Sequence, residues 1–132
     1  MIQLLRAIFI VLVSALAGCD GIAGGGGSVH LPPEAIAYGE ATPLQLELSV
    51  WGSGSGKVSR RYTNVQCYYR TENTSTFTTL QGQLTRELED RIFVKFELPA
   101  LSPSDGSWVE YYFDMSFDGH YNRRDVTRVP LR

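Results

Sequence analysis

Apolar residues fall into two regimes along the chain. Ala7-Ile8-Phe9-Ile10-Val11-Leu12-Val13 is an unbroken run that continues through Ser14-Ala15-Leu16. From Pro43 onward, apolar and polar residues alternate in short stretches, the period-two signature of half-buried strands. Leu44, Leu46, Leu48 and Val50 share one face, and Gln45, Glu47, Ser49 and Trp51 the other. Val65, Cys67 and Tyr69 are set inward against Gln66, Tyr68 and Arg70. Ile92, Val94, Phe96 and Leu98 repeat the pattern until Pro99. The longest inward row is Val109, Tyr111, Phe113, Met115 and Phe117, with Trp108, Glu110, Tyr112, Asp114 and Ser116 opposite.

Breakers divide these stretches. Val29-His30-Leu31 and residues 34–38 predict a first edge strand interrupted by Pro32-Pro33, since proline is tolerated on edges. Residues 52–57 are a Gly/Ser loop. Residues 58–70 are strand-prone, with an irregularity expected around Thr63-Asn64. Residues 72–75 read as a turn, and 76–80 as a short strand anchored by Phe77 and Leu80. Residues 81–90 are polar. Within them 85–90 could form a helical turn, though one lone leucine is too little for a helix. Pro103-Ser104-Asp105-Gly106 reads as a turn, and Asp118-Gly119 as a two-residue hairpin. Residues 120–129 return as the last strand, stopped by Pro130. About seven short strands without a convincing helix predict an all-β fold, an antiparallel β-sandwich. The stretches Val65-Gln66-Cys67-Tyr68-Tyr69-Arg70, Phe93-Val94-Lys95-Phe96-Glu97-Leu98-Pro99 and Val109-Glu110-Tyr111-Tyr112-Phe113, leading to Asp118-Gly119, resemble immunoglobulin-like and fibronectin type III-like domains. The chain lacks the paired core cysteines and the third-strand tryptophan of antibody domains.

The first 18 residues have a positive front (the amino terminus and Arg6), an apolar middle and a small-residue exit, Ala17-Gly18. That is the layout of a secretory signal peptide, cleaved from the mature chain. The apolar run is short of the roughly 20 residues that span a bilayer as a helix. Leu16-Ala17-Gly18-Cys19 resembles the lipobox of bacterial lipoproteins. The resemblance implies cleavage of the helical signal peptide before Cys19, a diacylglyceryl thioether on Cys19, and residence in the cell envelope on a membrane. Asp20 resembles an inner-membrane retention signal, which favours the periplasmic face of the inner membrane over the outer membrane. Three segments follow: 1–18 signal peptide, 19–28 lipidated glycine-rich tether, and 29–132 β-sandwich domain. Glycine-rich chains behave as coils of about 5–6 Å × √n, so the tether would hold the domain about 15–18 Å from the lipid.

Charge narrows the partners. The full chain carries −2, and loss of Arg6 leaves the mature chain near −3. A mildly acidic chain without a basic run does not suit nucleic acid or electrostatic docking on anionic lipid. With Cys19 lipidated, Cys67 has no partner for an intramolecular disulfide. Two distant histidines and one thiol do not suggest a metal site or a cofactor site. No catalytic set emerges. His30 sits beside the tether and His120 follows the hairpin glycine. Cys67, set inward, reads as an inert core thiol. Glu87, Glu89 and Asp90, and likewise Asp114 and Asp118, lack the ligand pattern of a calcium loop.

One surface carries a hypothesis. In a sandwich of this order, strands 65–70 and 108–117 share a sheet, with the last strand beside them. Tyr68, Arg70, Trp108, Glu110 and Tyr112 then form an outward face. Such a face suits contact with an envelope protein or stacking on a glycan such as peptidoglycan. The plainer alternative is cross-strand pairing that merely supports the sheet. The expected role is a non-catalytic interaction or scaffolding module, with carbohydrate binding as the alternative and an envelope enzyme as the weakest reading.

Overall fold

The computed structural model describes residues 24–52 and 56–132. The lipobox, Cys19 and Asp20 lie outside the described residues. Within them the chain is all-β, with nine strands: β1 (Gly24–Val29), β2 (Thr42–Gly52), β3 (Tyr62–Thr71), β4 (Thr78–Gln81), β5 (Gln83–Glu87), β6 (Arg91–Leu98), β7 (Trp108–Phe117), β8 (His120–Arg123) and β9 (Thr127–Pro130). They form two antiparallel sheets. One has the order β1-β2-β6-β5. The other runs β4-β3-β7-β8, with β9 also paired to β7. This sandwich is compatible with an immunoglobulin-like arrangement.

The alternating rows become the core. Leu44, Leu46, Leu48, Phe96 and Leu98 from the first sheet, and Cys67, Val109 and Tyr111 from the second, are fully buried. Phe113 and Met115 complete the inner face of β7. Side chains of the two inner faces meet in one cluster, as facing sheets require. The irregularity in β3 is a register shift against β7 between Thr63 and Gln66, with Asn64 at φ 54°. The β7–β8 hairpin turns at Asp118 (φ 50°) and Gly119 (φ 84°), the paired left-handed residues of a type I′ turn.

Several expectations are corrected. The largest correction concerns the tether. Gly24 to Ser28 do not hang as a linker; they belong to β1, in antiparallel register with β2 from Gly24↔Gly52 to Val29↔Glu47. Side chains from elsewhere supply the packing that glycine lacks. The Trp51 indole covers Gly25 and Gly27, while a Cβ on Gly26 would strike the Tyr62 hydroxyl and the Phe117 ring. Glycine here permits close approach. Arg124 Nη1 donates to the Ser28 carbonyl at 2.9 Å and lies 2.8 Å from Ser28 Oγ.

The other corrections are local. The expected strand at 58–70 opens with one helical turn, α1 (Val58–Arg61), because Val58 folds inward to plug the end of the core. The ambiguous stretch 81–90 forms no helix: it carries β5, an exposed edge that gains its backbone partners from β6, and residues 88–90 lead on to β6. Phe77 does not anchor β4 in the core; it is 37% exposed, while Leu80 packs inward. The last strand divides into β8 and β9, which pair with opposite ends of β7. After Pro32-Pro33 the chain crosses over, and Ile36 makes a parallel bridge with Leu131.

Candidate interaction face

Strand β7 lies inside the second sheet, with β3 on one flank and β8 and β9 on the other. Alternation turns Trp108, Glu110, Tyr112 and Asp114 outward, because Val109, Tyr111 and Phe113 fill the core. Register then sets Tyr68 opposite Tyr112 and Arg70 opposite Glu110 on one flank. Arg128 stands opposite Glu110 on the other, and Arg123 opposite Asp114. All five residues singled out from the sequence therefore meet on one surface.

They form two cross-sheet stacks. In the first, the Tyr68 and Tyr112 rings lie 4.9 Å apart at 22°, and the Arg123 guanidinium sits 4.2 Å from the Tyr112 centroid. In the second, Trp108 lies between two guanidinium groups, Arg128 at 3.9 Å and Arg70 at 5.8 Å. Glu110 joins the flanks. It accepts from Arg70 Nε at 2.9 Å and from Arg128 Nη2 at 2.7 Å. These bonds, Arg128's above all, hold the Glu110 carboxyl below its ordinary pKa. Neighbours thus lie over the Tyr112 ring, from Tyr68 and Arg123, and over the Trp108 ring, from Arg128 and Arg70.

Two further residues belong here and were not singled out from the sequence. Phe77 packs edge-on against Tyr112 at 5.1 Å. Tyr121, 65% exposed, donates its hydroxyl to Asp114 Oδ2 at 3.0 Å. Alternation in β8 could have indicated Tyr121. Phe77 precedes its strand, and no periodicity fixes its direction.

The remaining candidate groups do not join this face. His30 is buried near the sandwich seam. Its Nδ1 is 2.7 Å from the Gln45 carbonyl and its Nε2 2.7 Å from the Tyr111 hydroxyl. Nδ1–H donates to the carbonyl and Nε2 accepts from the hydroxyl, the neutral tautomer that burial favours by lowering the pKa. Cys67 is fully buried, and burial pushes its thiol up to about 12. His120 is exposed at the hairpin. Asp118 pairs with Arg61 at 2.7 Å, and Glu87 accepts from Ser59 at 2.7 Å. Among the described residues no three His, Cys, Asp or Glu side chains converge on a metal-sized site. No helix among them is long and apolar enough to cross a membrane. No protein-family model matches the chain, and no curated protein matches it.

Proposed function

We propose that the protein is a lipoprotein of the bacterial envelope, anchored through Cys19 and acting as a non-catalytic interaction or scaffolding module. The observation that carries this reading is Leu16-Ala17-Gly18-Cys19 at the end of a signal-peptide pattern. One lipid chain holds a protein only marginally, and two or more hold it firmly. Asp20 favours the periplasmic face of the inner membrane. Since β1 begins at Gly24, the five steps from Cys19 span at most about 18 Å fully extended, at 3.3–3.6 Å per residue. The domain works beside its bilayer, and its partner is at that membrane or comes to it.

The outward aromatics support an interaction role. A glycan-binding role is the alternative, but the Tyr112 and Trp108 rings are already covered by neighbours. The non-catalytic reading is supported by the engagement of both His30 nitrogens and by the burial of Cys67. The test is metabolic palmitate labelling of the full chain and its Cys19→Ser variant in a bacterial host. Label on the unsubstituted chain alone agrees with the proposal. Persistent label on the variant, or none on either, refutes it.

A further inference from the structure

The outward face of the second sheet gathers aromatic rings and arginines. Five aromatic side chains lie on it: Tyr68, Phe77, Trp108, Tyr112 and Tyr121. Three arginines stand against two carboxylates there, in a chain whose net charge is negative. Glu110 is only 12% exposed and satisfied by Arg70 and Arg128. Arg123 differs from those two. Its guanidinium stacks on Tyr112, and among the described residues it makes no ion pair. A guanidinium over a ring face makes its cation–π contact without using its N–H donors, which stay available to a carboxylate.

Ring orientation adds to this. An aromatic ring is negative on its face and positive at its edge. Here Tyr68 and Arg123 lie over Tyr112, and Arg128 and Arg70 over Trp108, so the centre of the face offers N–H donors and ring edges more than bare ring faces. Both attract oxygen anions. A neutral sugar, which stacks on a bare face, finds the central Tyr112 and Trp108 rings already covered. A net excess of one positive charge is too small to hold a polyanion or an anionic bilayer, where each basic residue adds only about 1 kcal/mol. Clustered Tyr, Trp and Arg is instead the composition of protein-interface hot spots.

We infer that the Tyr68–Tyr112–Arg123 and Arg70–Trp108–Arg128 stacks form a docking face for a protein partner, with an Asp or Glu carboxylate of that partner seated on Arg123. This rests on the interaction-module reading above and names its partner's chemistry.

The test is a carbodiimide cross-link on the full chain carrying Arg123→Lys, expressed in its bacterial host. The substitution places an amine where the guanidinium stood, and carbodiimide joins an amine to a carboxylate in contact with it. The expected result is a new peptide pair, found by mass spectrometry, linking position 123 to an Asp or Glu of one other protein. It is absent from the unsubstituted chain, whose Lys57 and Lys95 report background. It is lost when Trp108→Ala is added, with the circular dichroism of the double variant unchanged. Links only to the chain's own carboxylates, such as Asp114, overturn the inference. So does the absence of any new link, or retention on peptidoglycan sacculi that depends on Tyr68 and Tyr112. Fractionation of the same cells reads the anchor separately. Chain missing from membranes defeats the lipoprotein reading, whereas chain in membranes without the link defeats only the docking face.

Discussion

Gly26→Ala separates a packed strand from a free tether more sharply than any other single change. In a tether, alanine for glycine shifts stability by no more than about 0.5 kcal/mol, as for most exposed positions. In β1 the new methyl would meet Phe117 Cζ at 3.0 Å and collide with the Tyr62 hydroxyl. That hydroxyl is 2.8 Å from the Ser49 carbonyl and 3.2 Å from the Gly27 carbonyl, so it ties β1 to β2. Displacing it forfeits hydrogen bonding worth about 0.5–1.5 kcal/mol. Forcing a methyl into packed space adds about 1–3 kcal/mol. Reduced unfolded-state entropy returns about 0.4–1 kcal/mol. The net expectation is a loss of about 1–3 kcal/mol, read as a lower urea midpoint with near-unchanged slope. Hydrogen exchange should quicken first at the amides of residues 25–29. In a Tyr62→Phe background the cost of Gly26→Ala should shrink, because the colliding hydroxyl is gone, giving a measurable coupling. A Gly26→Ala protein as stable as the parent, with unchanged exchange, would refute the packing argument for β1.

Three further outcomes follow from named groups. His30 is buried with its pKa lowered from 6.5, so the unfolded chain binds a proton more readily than the folded one. Its contribution to stability is complete above about pH 6.5, declines as pH falls below that value, and levels off beneath the folded pKa. Urea titrations of the parent and His30→Phe between pH 7.5 and 4.5 should show a shallower decline in the variant. The variant should also be about 1–3 kcal/mol less stable at neutral pH, because the buried Tyr111 hydroxyl loses its acceptor. Cys67, with its thiol pushed up to about 12, has on the order of a thousandfold less thiolate at pH 8 than a free cysteine near 8.5. Its alkylation by iodoacetamide should track global unfolding; fast labelling in native buffer would contradict its burial. Gly119→Ala places a Cβ at φ 84° in open space. The left-handed backbone alone should cost about 1–2 kcal/mol, seen as a lower thermal midpoint.

The period-two rows by themselves determined that the chain is all-β. They also fixed which side of β2, β3, β6 and β7 is buried, because a strand's faces alternate strictly and only one can enter the core. Asp118-Gly119 fixed one hairpin for a similarly local reason, since two adjacent left-handed residues suit that turn. The outward direction of Tyr68, Arg70, Trp108, Glu110 and Tyr112 was legible from the same alternation. What lies beside each of them was not. Register and strand order brought Arg123 and Arg128 from the split last strand onto Tyr112 and Trp108, and Phe77 out of its expected core position. The glycine run is the clearest case. Its composition describes a linker, because a sequence window contains no partner for residues without side chains. Trp51, Tyr62, Phe117 and Arg124 make it a strand, and all four are distant in sequence. Only tertiary structure could bring them to it, since glycine's packing is supplied entirely by its neighbours.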